Sequence, residues 1–252
     1  MPRVARAVLG YDNEMSDDRT APRREAVDEG LAAVLESAAR LQQLVPDAVL
    51  VGESAAAAYA GHRVSFDHDH VVADLRDRFD MVLDALEREG DWVTNRVRPG
   101  KLILGQLGDI EAGVRQLIRR VPLEVDELHL PSGASVRVPT PDETLRIKGF
   151  LVVKRNQVRD HLDVAALADR YGVEHAAHVL AGIDDYYADQ HGPDGQGVAS
   201  QLVRQLADPR PADTATLRDL PRYKGLDPRW HDWARVVAAC RRIAAAMLTE
   251  EA

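Results

Sequence analysis

The sequence predicts an α/β fold in its first part and a helical fold in its second part. Two observations support this prediction. Up to residue 140, short apolar segments bounded by turn residues alternate with helical patterns. After Pro139, Thr140 and Pro141, only the helical period remains. We therefore expect an α/β core with a mixed sheet over residues 1–140 and a helical domain over residues 141–252.

Hydrophobic periodicity and turn signals locate the individual elements. In the first part we expect helices at 24–44, 54–59 and 76–88, and strands at 47–51, 66–72, 101–105, 109–117, 123–130 and 135–138. In the second part we expect helices at 142–154, 159–171, 174–190, 198–206 and 230–247. Residues 11–24 are polar and charged, which predicts a mobile approach to the first helix.

Composition excludes several classes of protein. The chain has 252 residues, and 32 basic against 41 acidic side chains give a net charge of −9, which disfavours broad coating of nucleic acid. The single cysteine, Cys240, forbids an intrachain disulfide and is expected to be a buried, inert thiol. No segment approaches the roughly 20 apolar residues of a membrane span. The N-terminal segment has no long apolar core and soon turns acidic, which disfavours a secretory signal. We expect a cytoplasmic protein.

Two carboxylates on one predicted strand are the first chemical signal. Asp67 and Asp69 are two residues apart, so both side chains lie on one face and can hold a single Mg²⁺ ion. Just before them, Gly52 and Ser54 mark a strand–helix corner that can offer backbone amides and a hydroxyl to an anion. A phosphate site that faces a metal site is what nucleotidyl transfer requires.

The same residues have simpler explanations. Alternating aspartate and histidine on a strand is also typical of a solvated edge. His62, His68 and His70 suggest a zinc site, but a regular strand puts His68 and His70 on the face opposite the aspartates. Only a bulge would bring them to the aspartates, and nothing else in the sequence supplies a fixed geometry for zinc, which disfavours it.

A second cluster follows in the helical part. Lys148 lies on one predicted helix, and Asp160 and Asp163 lie three residues apart on the next. A lysine on a packed helix can reach triphosphate oxygens while the aspartates orient it. The alternative is a surface salt-bridge network between the two helices. The basic side chains between Lys148 and Arg159 also form a candidate wall for an RNA acceptor.

Together the two segments resemble the AbiEii-type minimal nucleotidyltransferases of type IV toxin–antitoxin systems and the related MenT toxins. The resemblance covers roughly residues 48–170. The first family motif, G-[GS]-[TS] followed by H-R-x-S-x-D-x-D, matches 52–54 and 62–69. The second, K…R…R-D-x-x-D-L, matches Lys148, Arg155, Arg159, Asp160 and Asp163, with Val164 in place of the leucine.

The resemblance implies a polymerase-β-like fold, Mg²⁺ dependence and transfer of a nucleoside monophosphate from an NTP to a hydroxyl, such as a tRNA 3′ end. A small antitoxin partner is also implied. By position, the metal ligands would be Asp67 and Asp69, the phosphate ligands Gly52 and Ser54, the triphosphate lysine Lys148, the supporting acid Asp160, and the residues supporting nucleotide binding Arg63 and Ser65.

Three departures from the family pattern keep alternatives open. Glu53 replaces a motif glycine and would put a carboxylate beside the triphosphate, and His68 stands where a hydrophobic residue is usual. A third metal-binding carboxylate is not obvious, and Glu111 is the best candidate, followed by Glu124 and Asp126. A non-catalytic relative that binds nucleotides or partners, and a small-molecule nucleotidyltransferase, are the alternative functions.

Overall fold

The structure is a computed structural model that describes residues 21–190, 195–223 and 225–250. Of the segment predicted to be mobile, positions 11–20 lie outside the described residues, and Ala21 already begins the first helix. The first part contains these elements: α1 (Ala21–Leu44), β1 (Val49–Val51), α2 (Gly52–Ala60), β2 (Asp67–Val72), α3 (Phe79–Glu87), β3 (Trp92–Arg98), β4 (Leu102–Leu107), β5 (Ile110–Gln116), β6 (Val125–His129) and β7 (Ser135–Pro139).

The strands form two sheets. Five of them lie in the order β1-β2-β5-β4-β3, where β2 and β5 are parallel and the other neighbours are antiparallel. The remaining two, β6 and β7, pair antiparallel in a separate sheet. The mixed sheet and the helices that follow it confirm the predicted fold class. β3 is not predicted from the sequence, because most of its side chains are exposed and polar and give no apolar alternation.

The second part is helical. Its elements are α4 (Pro141–Arg155), α5 (Val158–Tyr171), α6 (Val173–Ala181), α7 (Asp184–Tyr187), α8 (Val198–Ala207), α9 (Thr214–Arg218) and α10 (Trp233–Glu250). The prediction of a single helix over 174–190 was wrong, because α6 ends at Ala181 and the short helix α7 follows after a break. Asp184 after the break accepts a hydrogen bond from the amide of Ala199 at the start of α8, 3.1 Å away. This contact with α8 favours the break.

Packing distinguishes the two faces of the large sheet. One face is covered by α1 and α3, and its buried side chains include Leu41, Val72, Leu86, Ile103 and Val114. Burying such side chains is worth about 1.5–3 kcal/mol each, which fixes the register of the strands. The other face carries the two aspartates of β2, which are only half-buried. The candidate site therefore lies on the more open face.

The boundary near residue 140 coincides with a helix start. Thr140 caps α4 by accepting a hydrogen bond from the amide of Glu143 at 3.1 Å, and Pro141 occupies the first helical position. The division into two domains at this point stays a prediction. In the described part of the chain, no helix is both long and apolar enough to cross a lipid bilayer.

Candidate functional site

The corner between β1 and α2 is the first part of the site. Gly52 has φ +80°, which a residue with a side chain rarely adopts, and it begins α2 without a side-chain cap. A Cβ at Gly52 would lie 3.7 Å from Cβ of Asp69. The uncapped amides of the first helical turn therefore begin beside this carboxylate, and such amides are suited to bind anions.

The two aspartates lie at the start of β2. Both are half-buried, whereas His68 and His70 between and after them are buried on the opposite face. Ser65 Oγ donates to Asp67 Oδ1 at 2.9 Å, and Arg115 Nε on β5 donates to Asp69 Oδ1 at 3.1 Å. The carboxylates therefore share one face, as the spacing predicts, and each is oriented by a neighbouring donor.

A glycine on β5 makes room for Asp69. Gly113 is the register partner of Asp69 on the parallel strand. A Cβ at this position would lie 2.4 Å from Asp69 Oδ1, closer than atoms tolerate, and 3.0 Å from Leu104 Cδ2, which is a tight contact. The missing side chain thus allows the carboxylate to lie over the neighbouring strand.

Ser54 supports Asp67 from behind. Its Oγ donates to the backbone oxygen of Asp67 at 2.6 Å, and the side chain is almost fully buried. A hydroxyl has one proton to donate, and in this structure it is used within the protein. Ser54, expected to hold a phosphate, therefore fixes the strand that carries the carboxylates.

The aspartate pair suits a magnesium ion. Mg²⁺ typically takes one or two protein carboxylates and completes its shell with water and substrate phosphate oxygens. Glu111 is the register partner of Asp67, but within the described residues no three His, Cys, Asp or Glu side chains are grouped to hold a metal. Glu124 instead pairs with Arg146 and accepts a bond from Tyr186. The donors present therefore fit a two-carboxylate site.

The histidines of the first motif have structural roles. His68 Nε2 lies 3.0 Å from Ser37 Oγ, and burial lowers the pKa of His68 to about 4 despite the nearby charge of Asp67. His70 packs edge-on against His68, and burial holds its pKa well below the ordinary value. These histidines lie on the face opposite the aspartates, as the alternation predicts.

Asp163 is the centre of a buried charge network. Its Oδ1 accepts from His62 Nε2 at 2.8 Å and Arg63 Nε at 2.9 Å, while Oδ2 accepts from Arg63 Nη2 at 2.8 Å. Lys148 Nζ lies 2.6 Å from the same Oδ2, and all four side chains are fully buried. Burial alone raises the pKa of Asp163, but the charges of Arg63 and Lys148 outweigh it and hold that pKa well below its usual range.

Glu53 belongs to the same network. Arg63 Nη1 donates to one of its carboxylate oxygens and Arg159 Nη1 donates to the other, the second at 2.7 Å. The Glu53 side chain is 8% exposed. The carboxylate that replaces the motif glycine is thus compensated by two guanidinium groups, which reduces the repulsion expected between Glu53 and a triphosphate.

The second predicted cluster is arranged differently from the expectation. Lys148 contacts Asp163, and Asp160 accepts two hydrogen bonds from Arg155, at 2.7 and 2.6 Å. With Arg159 bound to Glu53, much of the expected basic wall for RNA is engaged in ion pairs within the protein.

From the sequence, Asp163 is expected only to orient Lys148 together with Asp160, and Gly113 and Arg115 are not assigned to the site. The R-D-x-x-D spacing already contained Asp163, and its complete burial on α5 against His62, Arg63 and Lys148 gives it the central role. Nothing in the sequence indicates that β5 lies parallel to β2, which is what brings Gly113 and Arg115 next to Asp69.

Comparison with solved structures identifies the fold. MenT4, a nucleotidyltransferase toxin from Mycobacterium tuberculosis, matches with a TM-score of 0.57 and 16% identity over 93% of this chain and 90% of its own. A putative nucleotidyltransferase from H. pylori matches with a TM-score of 0.50 and 14% identity over 94% and 98% of the two chains. The fold is therefore that of nucleotidyltransferases. No protein-family model matches the chain.

Comparison by sequence finds a different group of proteins. The heme uptake protein MmpL11 of Mycobacterium tuberculosis is 34% identical over 86% of this chain. The mycolic acid-containing lipids exporter MmpL11 of Mycolicibacterium smegmatis is 36% identical over 72% of this chain. The matched regions make up only 23% and 16% of those two proteins, so the chain is similar to a part of each.

Proposed function

We propose that this protein is a Mg²⁺-dependent nucleotidyltransferase that transfers a nucleoside monophosphate from an NTP to a hydroxyl acceptor. The observation that carries the proposal is the pair of half-buried carboxylates, Asp67 and Asp69, beside the uncapped start of α2. The nucleotidyltransferase fold of the structural neighbours supports it.

In the proposed site, Asp67 and Asp69 hold the ion, and Ser65 and Ser54 keep Asp67 in place. Magnesium bound there supplies positive charge at the α-phosphate and favours deprotonation of the attacking hydroxyl. The first amides of α2 bind the terminal phosphates. Arg115, 3.1 Å from Asp69, contributes a further positive charge at the edge of the site.

The buried network supports this site without contacting the nucleotide. We assign Lys148, Asp163 and Arg63 as positioning residues, because all three are fully buried and both cations bind Asp163. They join α5 and α4 to the segment that ends in Ser65 and Asp67. Asp160 fixes Arg155 in the same helical part.

The acceptor and the biological setting complete the proposal. Arg115, a cation, borders Asp69, which favours a phosphate-bearing acceptor such as a tRNA 3′ end over a cationic small molecule. Action in the cytoplasm as a toxin with a small antitoxin partner follows the resemblance to the toxin family.

A transfer assay tests the proposal. The protein is incubated with each of the four NTPs labelled at the α-phosphate, Mg²⁺ and total tRNA. We expect label on RNA with one or more NTPs, loss of label with EDTA, and loss in the Asp67→Asn/Asp69→Asn variant. The matched control changes two exposed aspartates of α3, Asp80→Asn/Asp84→Asn. The proposal fails if no label is transferred, or if both double variants transfer equally.

A second candidate is a non-catalytic module that binds a partner. The observation that favours it is the identity of 34% with part of MmpL11, a protein whose name describes transport. This candidate predicts that the chain binds no Mg²⁺–NTP complex, so calorimetric titration with each NTP separates it from the enzyme.

A further inference from the structure

A cleft lies at the carboxyl end of the parallel strands β2 and β5. Its volume is about 730 Å³, within the range of roughly 300–1,000 Å³ that ligand sites occupy. It is lined by Ala73 and Arg76 after β2, Lys101 before β4, and Leu117 and Arg120 after β5. In open α/β sheets, ligands commonly bind outside the carboxyl ends of strands.

Three cations of this cleft are exposed and lack an anionic partner. Arg76, Lys101 and Arg120 come from three different loops, and no ion pair engages any of them within the described chain. Three carboxylates of the lining, Asp74, Asp77 and Asp189, are also exposed, and Asp74 is already paired with Arg78 at 2.8 Å. Three unpaired cations, together with Asp77 and Asp189 as acceptors, suit a ligand that carries both phosphate groups and hydroxyl or amino groups.

Hydrogen bonds hold the first two cations in place. Gln116 accepts from the amide of Arg76 at 2.8 Å, donates to the oxygen of Ala73 at 2.6 Å, and its own amide donates to the oxygen of Lys101 at 3.0 Å. A Cβ at Gly100, where φ is +68°, would lie 3.3 Å from Cγ of Arg76, so this turn packs closely under the arginine. One glutamine therefore connects the loops that carry Arg76 and Lys101.

The loop of the third cation is fixed by its buried neighbour. Arg119 donates to the oxygens of Val121 and Pro122 at 2.9 and 3.0 Å, and its guanidinium lies 2.8 Å from Glu143 on α4. This anchoring holds the loop of Arg120 at the cleft. The cleft is thus supported from both parts of the chain.

The cleft is close to the proposed catalytic carboxylates but separate from them. Gln116 lies three residues beyond Gly113, the partner of Asp69, which corresponds to roughly 10 Å along β5. Arg115, exposed and in contact with Asp69, lies between the two places. We propose that the cleft is an anion site that holds a phosphate-bearing acceptor through Arg76, Lys101 and Arg120. This inference rests on the proposed nucleotidyl transfer for the identity of the ligand as acceptor.

The test uses a fluorescent single-stranded oligoribonucleotide with a free 3′ hydroxyl. Its affinity is measured over a series of salt concentrations for the unchanged protein and for Arg76→Gln/Lys101→Gln/Arg120→Gln. The matched control, Arg88→Gln/Arg218→Gln/Arg242→Gln, removes the same charge from other exposed positions. We expect the cleft variant to bind about tenfold more weakly or worse and to lose about two units of salt slope, and the control to lose little. Equal binding by the two variants would overturn the inference.

Two further measurements identify the ligand and separate this inference from the proposed function. Competition with adenosine monophosphate distinguishes two kinds of acceptor. If the acceptor is a small phosphorylated molecule, adenosine monophosphate should bind the cleft as tightly as the oligonucleotide does. If the acceptor is a polynucleotide, the oligonucleotide should bind more tightly than adenosine monophosphate. Mg²⁺–NTP binding should be the same in the cleft variant and the unchanged protein. Transfer with an unchanged KM for acceptor in the cleft variant overturns the inference while the proposed function stands. If the oligonucleotide binds through the cleft but no nucleotide is transferred, the proposed function fails and the inference about the cleft as an anion site stands.

Discussion

Replacing Asp163 by asparagine tests the buried network most severely. The change removes one negative charge and keeps nearly the same volume. Asp163 Oδ1 accepts hydrogen bonds from His62 and Arg63, and Oδ2 accepts one from Arg63 and lies 2.6 Å from Lys148 Nζ. With its NH₂ group on the Oδ2 side, the asparagine meets the cations Arg63 and Lys148, and with it on the Oδ1 side it meets Arg63 Nε, so in either orientation the NH₂ group faces at least one cationic donor.

The expected loss of stability follows from the charges that the substitution leaves without a partner. Lys148 loses the carboxylate that it contacts at 2.6 Å, and Arg63 keeps only Glu53 as a charged partner. Breaking a buried ion pair on one side costs about 3–5 kcal/mol. We therefore expect Asp163→Asn to lose that much of a total stability of about 5–15 kcal/mol.

Denaturant unfolding followed by circular dichroism measures this loss, and a double-mutant cycle locates it. Lys148→Met removes the other charge but leaves Asp163 its bonds from Arg63 and His62, so we expect a loss of only about 1–2 kcal/mol. The double variant should be more stable than the sum of the single losses predicts, by about 1 kcal/mol or more. A loss under about 1 kcal/mol for Asp163→Asn, or strict additivity, would refute the reasoning.

Three further predictions concern single side chains. A Cβ at position 113 would lie 2.4 Å from Asp69 Oδ1, so Gly113→Ala should displace the carboxylate by about 1 Å and lower the rate of nucleotidyl transfer about 100-fold. The control Gly90→Ala, where a Cβ meets nothing within 4 Å, should leave the rate of transfer unchanged. The pKa of His68 is about 4 in the folded protein and about 6.5 in the unfolded chain, so the unfolded chain binds the proton first and acid favours unfolding. Between pH 7 and pH 5 this group lowers the free energy of unfolding by about 2 kcal/mol. We expect His68→Gln to abolish that loss in denaturant unfolding at the two pH values. The matched control, His129→Gln, removes an exposed histidine instead of a buried one. Burial raises the pKa of Cys240 to about 12, so a thiol reagent should label it only after denaturant unfolds the protein, and rapid labelling of the folded protein would contradict its burial.

The sequence predicted the local features of the fold well. Period-two alternation indicates that Asp67 and Asp69 share a face, and the structure places them so because the histidines pack against α1. The helical part after Pro141 follows from periodicity of the same kind. These features depend on short-range patterns, which a sequence displays directly.

What the sequence could not show depends on long-range pairing. The contact of Gly113 with Asp69 exists only because β5 lies parallel to β2, and these two residues are 113 − 69 = 44 positions apart in the chain. Glu53 reads as an obstacle to a triphosphate until the fold brings Arg159 to it from α5. Lys148 reads as a substrate ligand until its burial against Asp163 is known. In each case the role of the residue depends on a contact with a residue that is distant in the sequence.

Calorimetric titration with a non-hydrolysable NTP tests most directly whether Asp67 and Asp69 form a metal–nucleotide site. The titration is run with Mg²⁺, with EDTA, and with the Asp69→Asn variant. We expect heat of binding only when Mg²⁺ and Asp69 are both present. Binding that is equal with EDTA, that persists in Asp69→Asn, or that is absent with all four NTPs would contradict the proposed site.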